Sequence, residues 1–176
     1  MKALIFAAGL GTRLYPLTKD VPKALVKIND KPMISFLIHK LAKFGYKEFI
    51  VNVHHCADQL KAHLAEKQYS KYNIQISDES NCLLNTGGSI SYAKDLLIDK
   101  HPVLVHNVDV FTDINYHDML LQHNKLNSYA TLAVKSRETS RYLLFDKNIL
   151  VGWIDLVLLG PESPIQASVV QQVVVM

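Results

Sequence analysis

The chain has 176 residues, 49% hydrophobic and 20% charged, which suits one ordinary domain with a buried core and excludes a fibre or a disordered tail. No apolar run approaches the roughly 20 residues that span a bilayer, two cysteines make no disulfide framework, and the eight histidines show no metal-ligand spacing. The net charge of +3 is unevenly placed: residues 1–50 hold nine Lys or Arg against three acids, and the remainder holds ten against thirteen. A basic N-terminal portion suits a phosphorylated ligand. No basic stripe carries interleaved aromatics, which argues against a nucleic-acid partner.

The opening, Met1 to Gly9, has the look of a signal peptide, but its apolar stretch is short. A glycine-rich loop with an arginine follows instead of a cleavage site. Lys2–Ala7 therefore reads as a buried first strand, and the chain as cytoplasmic with no membrane partner. Residues 8–31 form a long connection carrying Gly9, Gly11, Pro16 and Pro22. Pro32 opens a helix through Phe44, with apolar residues recurring at helical spacing and Gly45 placed to terminate it. Glu48–Val53 is a strand, Ala57–Gln68 an amphipathic helix, Asn73–Ser77 a short strand, and Gly88–Leu97 a helix that starts at a glycine pair. Pro102–His106 is a strand running into Asn107-Val108-Asp109. Tyr116–Leu126 is a helix with Asn115 as N-cap, and Asp113 also reads as a capping residue. Tyr129–Lys135 is a strand, and Arg141–Phe145 with Ile149–Trp153 predicts a hairpin. Arg137 and Arg141 read as solvated charges. Residues 156–176 are an atypical apolar segment with one charge, Glu162: a buried last strand, or the end of a shortened or frameshifted chain.

Strands alternating with helices predict a three-layer α/β/α domain with a mainly parallel or mixed central sheet over residues 1–155. Ligands in such sheets bind outside the carboxyl ends of the strands. That places residues 8–23, 78–88 and 107–113 along one edge. In the first of these, Gly9 and Gly11 let backbone N–H groups approach a phosphate. Arg13 offers a planar fork for phosphate oxygens, and Lys23 a movable point charge. Gly9-Leu10-Gly11-Thr12-Arg13-Leu14 is close to a dinucleotide fingerprint, with Asp30 about 20 residues on. That site needs a helix straight after the loop, which Pro16 and Pro22 prevent.

The longer string Gly-x-Gly-Thr-Arg-Leu-x-Pro-Leu-Thr, from Gly9 to Thr18, followed by Pro22-Lys23-x-Leu25, resembles the sugar-phosphate nucleotidyltransferase family over residues 1 to about 155. The nearest resemblance is to its N-acetylmuramate 1-phosphate uridylyltransferase and mannose-1-phosphate guanylyltransferase branches. Ser77-Asp78-Glu79 followed by Leu84-Asn85-Thr86-Gly87-Gly88 resembles the family's nucleotide loop, with Asn85 for the usual glutamate. Asn107-Val108-Asp109 resembles its metal-binding strand end. The resemblance implies a Rossmann-like fold, an NTP and a sugar 1-phosphate as substrates, and Mg²⁺ as cofactor. It assigns Ala8, Gly9, Gly11, Thr12, Gly87 and Gly88 to the nucleotide, Arg13 and Lys23 to catalysis, and Asp109 to the metal. A homo-oligomer is compatible with it. Two other readings stand beside it: a nucleotide-binding but catalytically weak remnant, and a phosphocholine cytidylyltransferase-like enzyme sharing the first loop.

Overall fold

The computed structural model describes residues 1–135, 139–147, 149–159, 169–170 and 174–175. Strand β1 (Lys2–Phe6) has Ala3, Leu4 and Ile5 fully buried, as its uninterrupted apolar run requires of a strand covered on both faces. The connection after it is not featureless. It holds two single 3₁₀ turns, Thr12–Leu14 and Lys23–Leu25, and a small hairpin of β2 (Lys27–Ile28) and β3 (Lys31–Pro32). Asn29 and Asp30 both adopt positive φ at the tip of this hairpin, a conformation these two residue types tolerate better than most.

Helix α1 (Met33–Lys43) follows directly on Pro32 and buries the stripe Met33, Ile34, Leu37, Ile38 and Leu41. It stops at a Schellman motif. Gly45 sits at φ +86° and donates to the Ala42 carbonyl (3.0 Å), while Tyr46 N–H donates to that of Leu41 (3.2 Å). Next come β4 (Glu48–Val53) and α2 (Ala57–Leu64). The helix expected through Gln68 ends four residues early because Tyr69, almost fully buried, turns inward. Its hydroxyl lies 2.7 Å from Ser35 Oγ and 2.8 Å from His63 Nε2. β5 (Asn73–Asp78) is followed by α3 (Asn85–Tyr92), which begins before the glycine pair, and by the short α4 (Lys94–Leu97). β6 (Leu104–Asn107) and α5 (Tyr116–Leu126) complete this part. Asn115, not Asp113, caps α5: its side-chain oxygen accepts from the amides of His117 and Asp118.

The four longer strands form a parallel sheet in the order β5-β4-β1-β6. The chain moves outward from β1 through β4 to β5, then returns across β1 to β6. The turning point of that path lies between β1 and β6, where the general rule for open α/β sheets places a ligand. One face buries Leu4, Ile50 and Ala93 with Phe6, Leu96, Leu97 and Val105, so α4 and the α3–α4 junction at Ala93 cover it. On the other face His106 bonds to Tyr116 of α5, whose ring meets Phe44 edge-on at 5.1 Å. These are the three expected layers, assembled from residues 1–129, one of two compact units.

The second unit, residues 130–175, is described by itself. β7 (Leu132–Ala133) has two residues, far short of the expected Tyr129–Lys135, and it pairs antiparallel with β11 (Val174–Val175). Tyr129 and Val134, near the two ends of the expected strand, are both exposed. The hairpin appears as β8 (Arg141–Asp146) and β9 (Ile149–Asp155). It is followed by a helical turn, α6 (Leu156–Leu159), and by β10 (Val169–Val170), which pairs with β8. Most of the apolar segment 156–176, and Arg137, lie outside the described residues. Among the described residues no helix is long and apolar enough to cross a membrane.

Candidate active site

After Phe6 the chain leaves the sheet, and two amides fix its direction. Ala7 and Ala8 both donate to Asn52 Oδ1, at 2.6 and 3.0 Å. From there the amides of Gly9, Leu10, Gly11, Thr12 and Arg13 meet no protein acceptor among the described residues. Gly11 is required twice over: it sits at φ +67°, and a Cβ there would lie 2.8 Å from Thr18 Cγ2. Thr18 also donates its hydroxyl to the Gly11 carbonyl (2.8 Å), which braces the loop from below. Farther on, the Thr18 and Asp20 carbonyls are held by His55 Nε2 (3.2 Å) and Gln59 Nε2 (2.8 Å). A braced loop with consecutive unpartnered N–H groups is an anion cradle. A missing Cβ at Gly9 would meet nothing within 4 Å, so this residue fronts open space. No long helix follows, and Asp30 is exposed on the β2–β3 turn, so the dinucleotide arrangement is absent.

Two clefts open beside this loop. The first, about 340 Å³, is lined by Ala8, Gly9, Asn52, Asn85, Thr86 and Val108 among others. The second, about 690 Å³, is lined by Gly11, Thr12, Arg13, Lys27 and Phe111 among others. Lys23 and Asp109 border both, and the Lys23 ammonium donates to the Asp109 carboxylate. Pro22 delivers Lys23 from an extended conformation into its 3₁₀ turn. Asp109 is delivered by β6, whose ladder continues one residue through Val108 N–H to the Phe6 carbonyl (3.1 Å). Arg13 is exposed and has no acidic partner among the described residues.

Gly87 and Gly88 occupy the first turn of α3 and are not in the lining of these two clefts, whereas Asn85, Thr86 and Ser89 line the smaller one. Gly88 makes room for the Leu84 side chain, since a Cβ would lie 2.9 Å from Leu84 Cβ. Asn85 has φ +57°, a left-handed conformation that asparagine tolerates better than glutamate.

Glu79 belongs to the segment that resembles the nucleotide loop, but its bonds to Asn52 and Ser89 beneath the site have no local signature. Glu79, almost fully buried, accepts from Asn52 Nδ2 (3.0 Å) and from the Ser89 hydroxyl (2.8 Å). Its own amide donates to the Val53 carbonyl, and its carbonyl lies 2.7 Å from His54 Nδ1. The first loop, the end of β4 and α3 are thus joined through one carboxylate. The available signal was Asn52 itself, a polar residue inside the apolar run of β4 from Phe49 to Val53, which demands partners when buried. Beside this network, hydrogen bonds from Lys61 and Ser80 hold the Asp78 carboxyl down at about 2. Another chain of contacts imitates a nucleophilic triad. Ser35 Oγ lies 3.1 Å from His63 Nε2, and Glu66 lies 2.7 Å from His63 Nδ1. Ser35 is buried within α1 and lines none of the clefts above, so the arrangement is structural. In the second unit, Arg141 Nε donates to the buried Asp155 carboxylate (2.8 Å), so this arginine is paired rather than merely solvated.

Residues 2–144 match the family of nucleotidyl transferases. The chain belongs to this family. It is 38% identical over 144 residues to a mannose-1-phosphate guanylyltransferase catalytic subunit beta of Dictyostelium discoideum, covering 81% of this chain and 40% of that protein. It is 43% identical over 109 residues to an N-acetylmuramate alpha-1-phosphate uridylyltransferase of Caulobacter vibrioides, covering 61% and 45%. The chain therefore spans less than half the length of these curated relatives. The fold is similar to that of UDP-glucose pyrophosphorylase complexed with UDP-glucose, with a TM-score of 0.75 at 17% identity, covering 99% of this chain and 75% of that one.

Proposed function

We propose that this nucleotidyl transferase binds an NTP at the carboxyl edge of its sheet and transfers the nucleotidyl group to a sugar 1-phosphate, releasing pyrophosphate. The run of unpartnered amides from Gly9 to Arg13 carries the reading, because it offers fixed donors to a chain of phosphates beside Arg13 and Lys23. The two relatives named above share a sugar 1-phosphate in their names and differ in the base, so they support the acceptor class and leave the base open.

In this reading the base and ribose lie in the smaller cleft against Ala8, Gly9 and Thr86. The triphosphate runs over Gly11 and Thr12. Ala8 contributes its surface and not its amide, which is spent on Asn52. Arg13 stabilises charge on the departing β- and γ-phosphates, and Lys23 draws the α-phosphate and the incoming phosphate together. The attacking phosphate is mostly ionised at neutral pH, with a second pKa of about 6, so no general base is required. Asp109 is one hard carboxylate beside a phosphate cradle. That suits Mg²⁺, which takes one or two carboxylates and fills its remaining positions with phosphate oxygens and water. The bound ion would neutralise phosphate charge, and Lys23 would be released from Asp109 toward the substrate. Incubating the chain with each NTP, Mg²⁺ and a panel of sugar 1-phosphates should yield pyrophosphate for at least one pair. Tight NTP binding with no pyrophosphate across the panel would remove the transfer step and leave nucleotide binding alone.

A further inference from the structure

A third depression, about 1060 Å³, lies along the outer side of α1 and the segments that enter β4 and β5. It collects Lys31, Lys40, Lys43, Lys47 and Lys71, and no carboxylate lines it. Lys40 and Lys43 stand in the last turn of α1, where the helix dipole favours cations. That explanation does not reach Lys31 on β3, Lys47 before β4 or Lys71 before β5. Lys40 is committed to the Thr112 carbonyl and lies 5.5 Å from the Tyr116 ring. Lys31, Lys43, Lys47 and Lys71 have no ion pair with an acid among the described residues.

Tyr46 is an independent observation. It lines the same groove, is only 2% exposed, and its hydroxyl has no hydrogen-bond partner among the described residues. Burial pushes its pKa up to about 12, so the hydroxyl remains a donor at neutral pH. Among the described residues Ser77 Oγ is the one buried side-chain polar atom without a partner, so the Tyr46 hydroxyl, which has no protein partner among them, is reached from the groove and can donate to a ligand there. The groove lining holds five lysines and no carboxylate. The rings at the groove are already engaged: Phe36 meets Phe111 edge-on at 6.2 Å, and Tyr72 meets Phe49 at 5.5 Å. This disfavours stacked bases and favours a compact anion.

We propose that this groove is a second anion site, separate from the clefts at the carboxyl edge, and that it takes a phosphate or polyphosphate ion through Tyr46 and the lysines. Calorimetric titration with pyrophosphate in the absence of divalent metal tests it, with inorganic phosphate as a parallel arm. Arg13→Ala with Lys23→Ala, which weakens the clefts, should retain one pyrophosphate site. Adding Lys43→Gln, Lys47→Gln and Lys71→Gln should weaken that site tenfold or more. Adding Tyr46→Phe alone should weaken it about three- to tenfold. Circular dichroism should be unchanged by these surface lysine changes. A tighter fit for pyrophosphate than for phosphate identifies a polyphosphate ligand, and equal binding a single phosphate group. If the Arg13/Lys23 variant binds neither ion, or the lysine and Tyr46 variants bind as tightly as it does, the site does not exist. Binding of a short single-stranded oligonucleotide without either small anion would also overturn it.

Discussion

The two regions proposed to meet anions are built by different means. At the carboxyl edge of the sheet, backbone amides from Gly9 to Arg13 are aimed by a glycine at positive φ, by Thr18 beneath it and by Asn52 behind it. Along α1, flexible lysine side chains converge around a buried tyrosine. The first arrangement is fixed before a ligand arrives, and catalysis draws on such preorganisation. The second can adapt, is open to salt screening, and suits binding without chemistry. Changes at the loop should therefore alter rate and geometry, whereas changes at the groove should alter only affinity.

The largest expected effect is at Arg13. Arg13→Ala should slow pyrophosphate formation by about 10²–10³-fold, roughly 2.7–4 kcal/mol of transition-state stabilisation, with thermal stability unchanged because the side chain is exposed. Equal turnover would make Arg13 as dispensable as a groove lysine. Next is Asn52→Ala, which strips partners from two backbone amides and from Glu79, at about 1–3 kcal/mol for each group left unpaired. The melting temperature and nucleotide affinity should fall together; a drop in one alone would separate the loop from its brace. Gly11→Ala should cost about 1–2 kcal/mol from its left-handed backbone alone, and more from the Thr18 contact. Gly9→Ala should melt like the parent and lose only nucleotide affinity, because nothing in the protein meets its Cβ. Comparing the two melting curves with the two binding curves checks this.

The smallest effect concerns pH. Burial holds the pKa of His106 below its ordinary 6.5, where the neutral ring faces the Tyr116 hydroxyl and the Asn107 carbonyl. A depressed histidine contributes stability that is whole above pH 6.5 and is lost as pH falls from there through the folded-state value. Melting temperatures between pH 7.5 and 5 should decline in the parent and decline less in His106→Gln. Parallel curves would show that His106 does not set that slope.

The first loop was legible because its information is local. Glycines, prolines, Arg13 and Lys23 lie within fifteen residues, and each acts through its own backbone preference or charge. The Schellman end of α1 and the Asn115 cap of α5 are local in the same sense. Alternation of strands and helices announced the layered α/β class, but the strand order β5-β4-β1-β6 was not legible in it. What escaped was long-range. Asn52, Glu79 and Ser89 meet only because β4 and β5 are neighbours in the sheet and α3 covers them. The lysine groove joins residue 31 to residue 71 across the same fold. Tyr69 cut short the helix expected from the pattern after Ala57, a tertiary contact overriding local propensity. Asn29-Asp30 carried a hairpin signal that the prolines around it obscured.

The central claim is that the unpartnered amides of the first loop hold the phosphates. Amide chemical shifts of isotopically labelled protein, recorded as each NTP is added with Mg²⁺, test it most directly. The account predicts that the amides of Gly9 through Arg13 shift most for the nucleotide that binds, while those of Ala7 and Ala8, already bonded to Asn52, move little. A bound nucleotide that leaves Gly9 to Arg13 unmoved would contradict it.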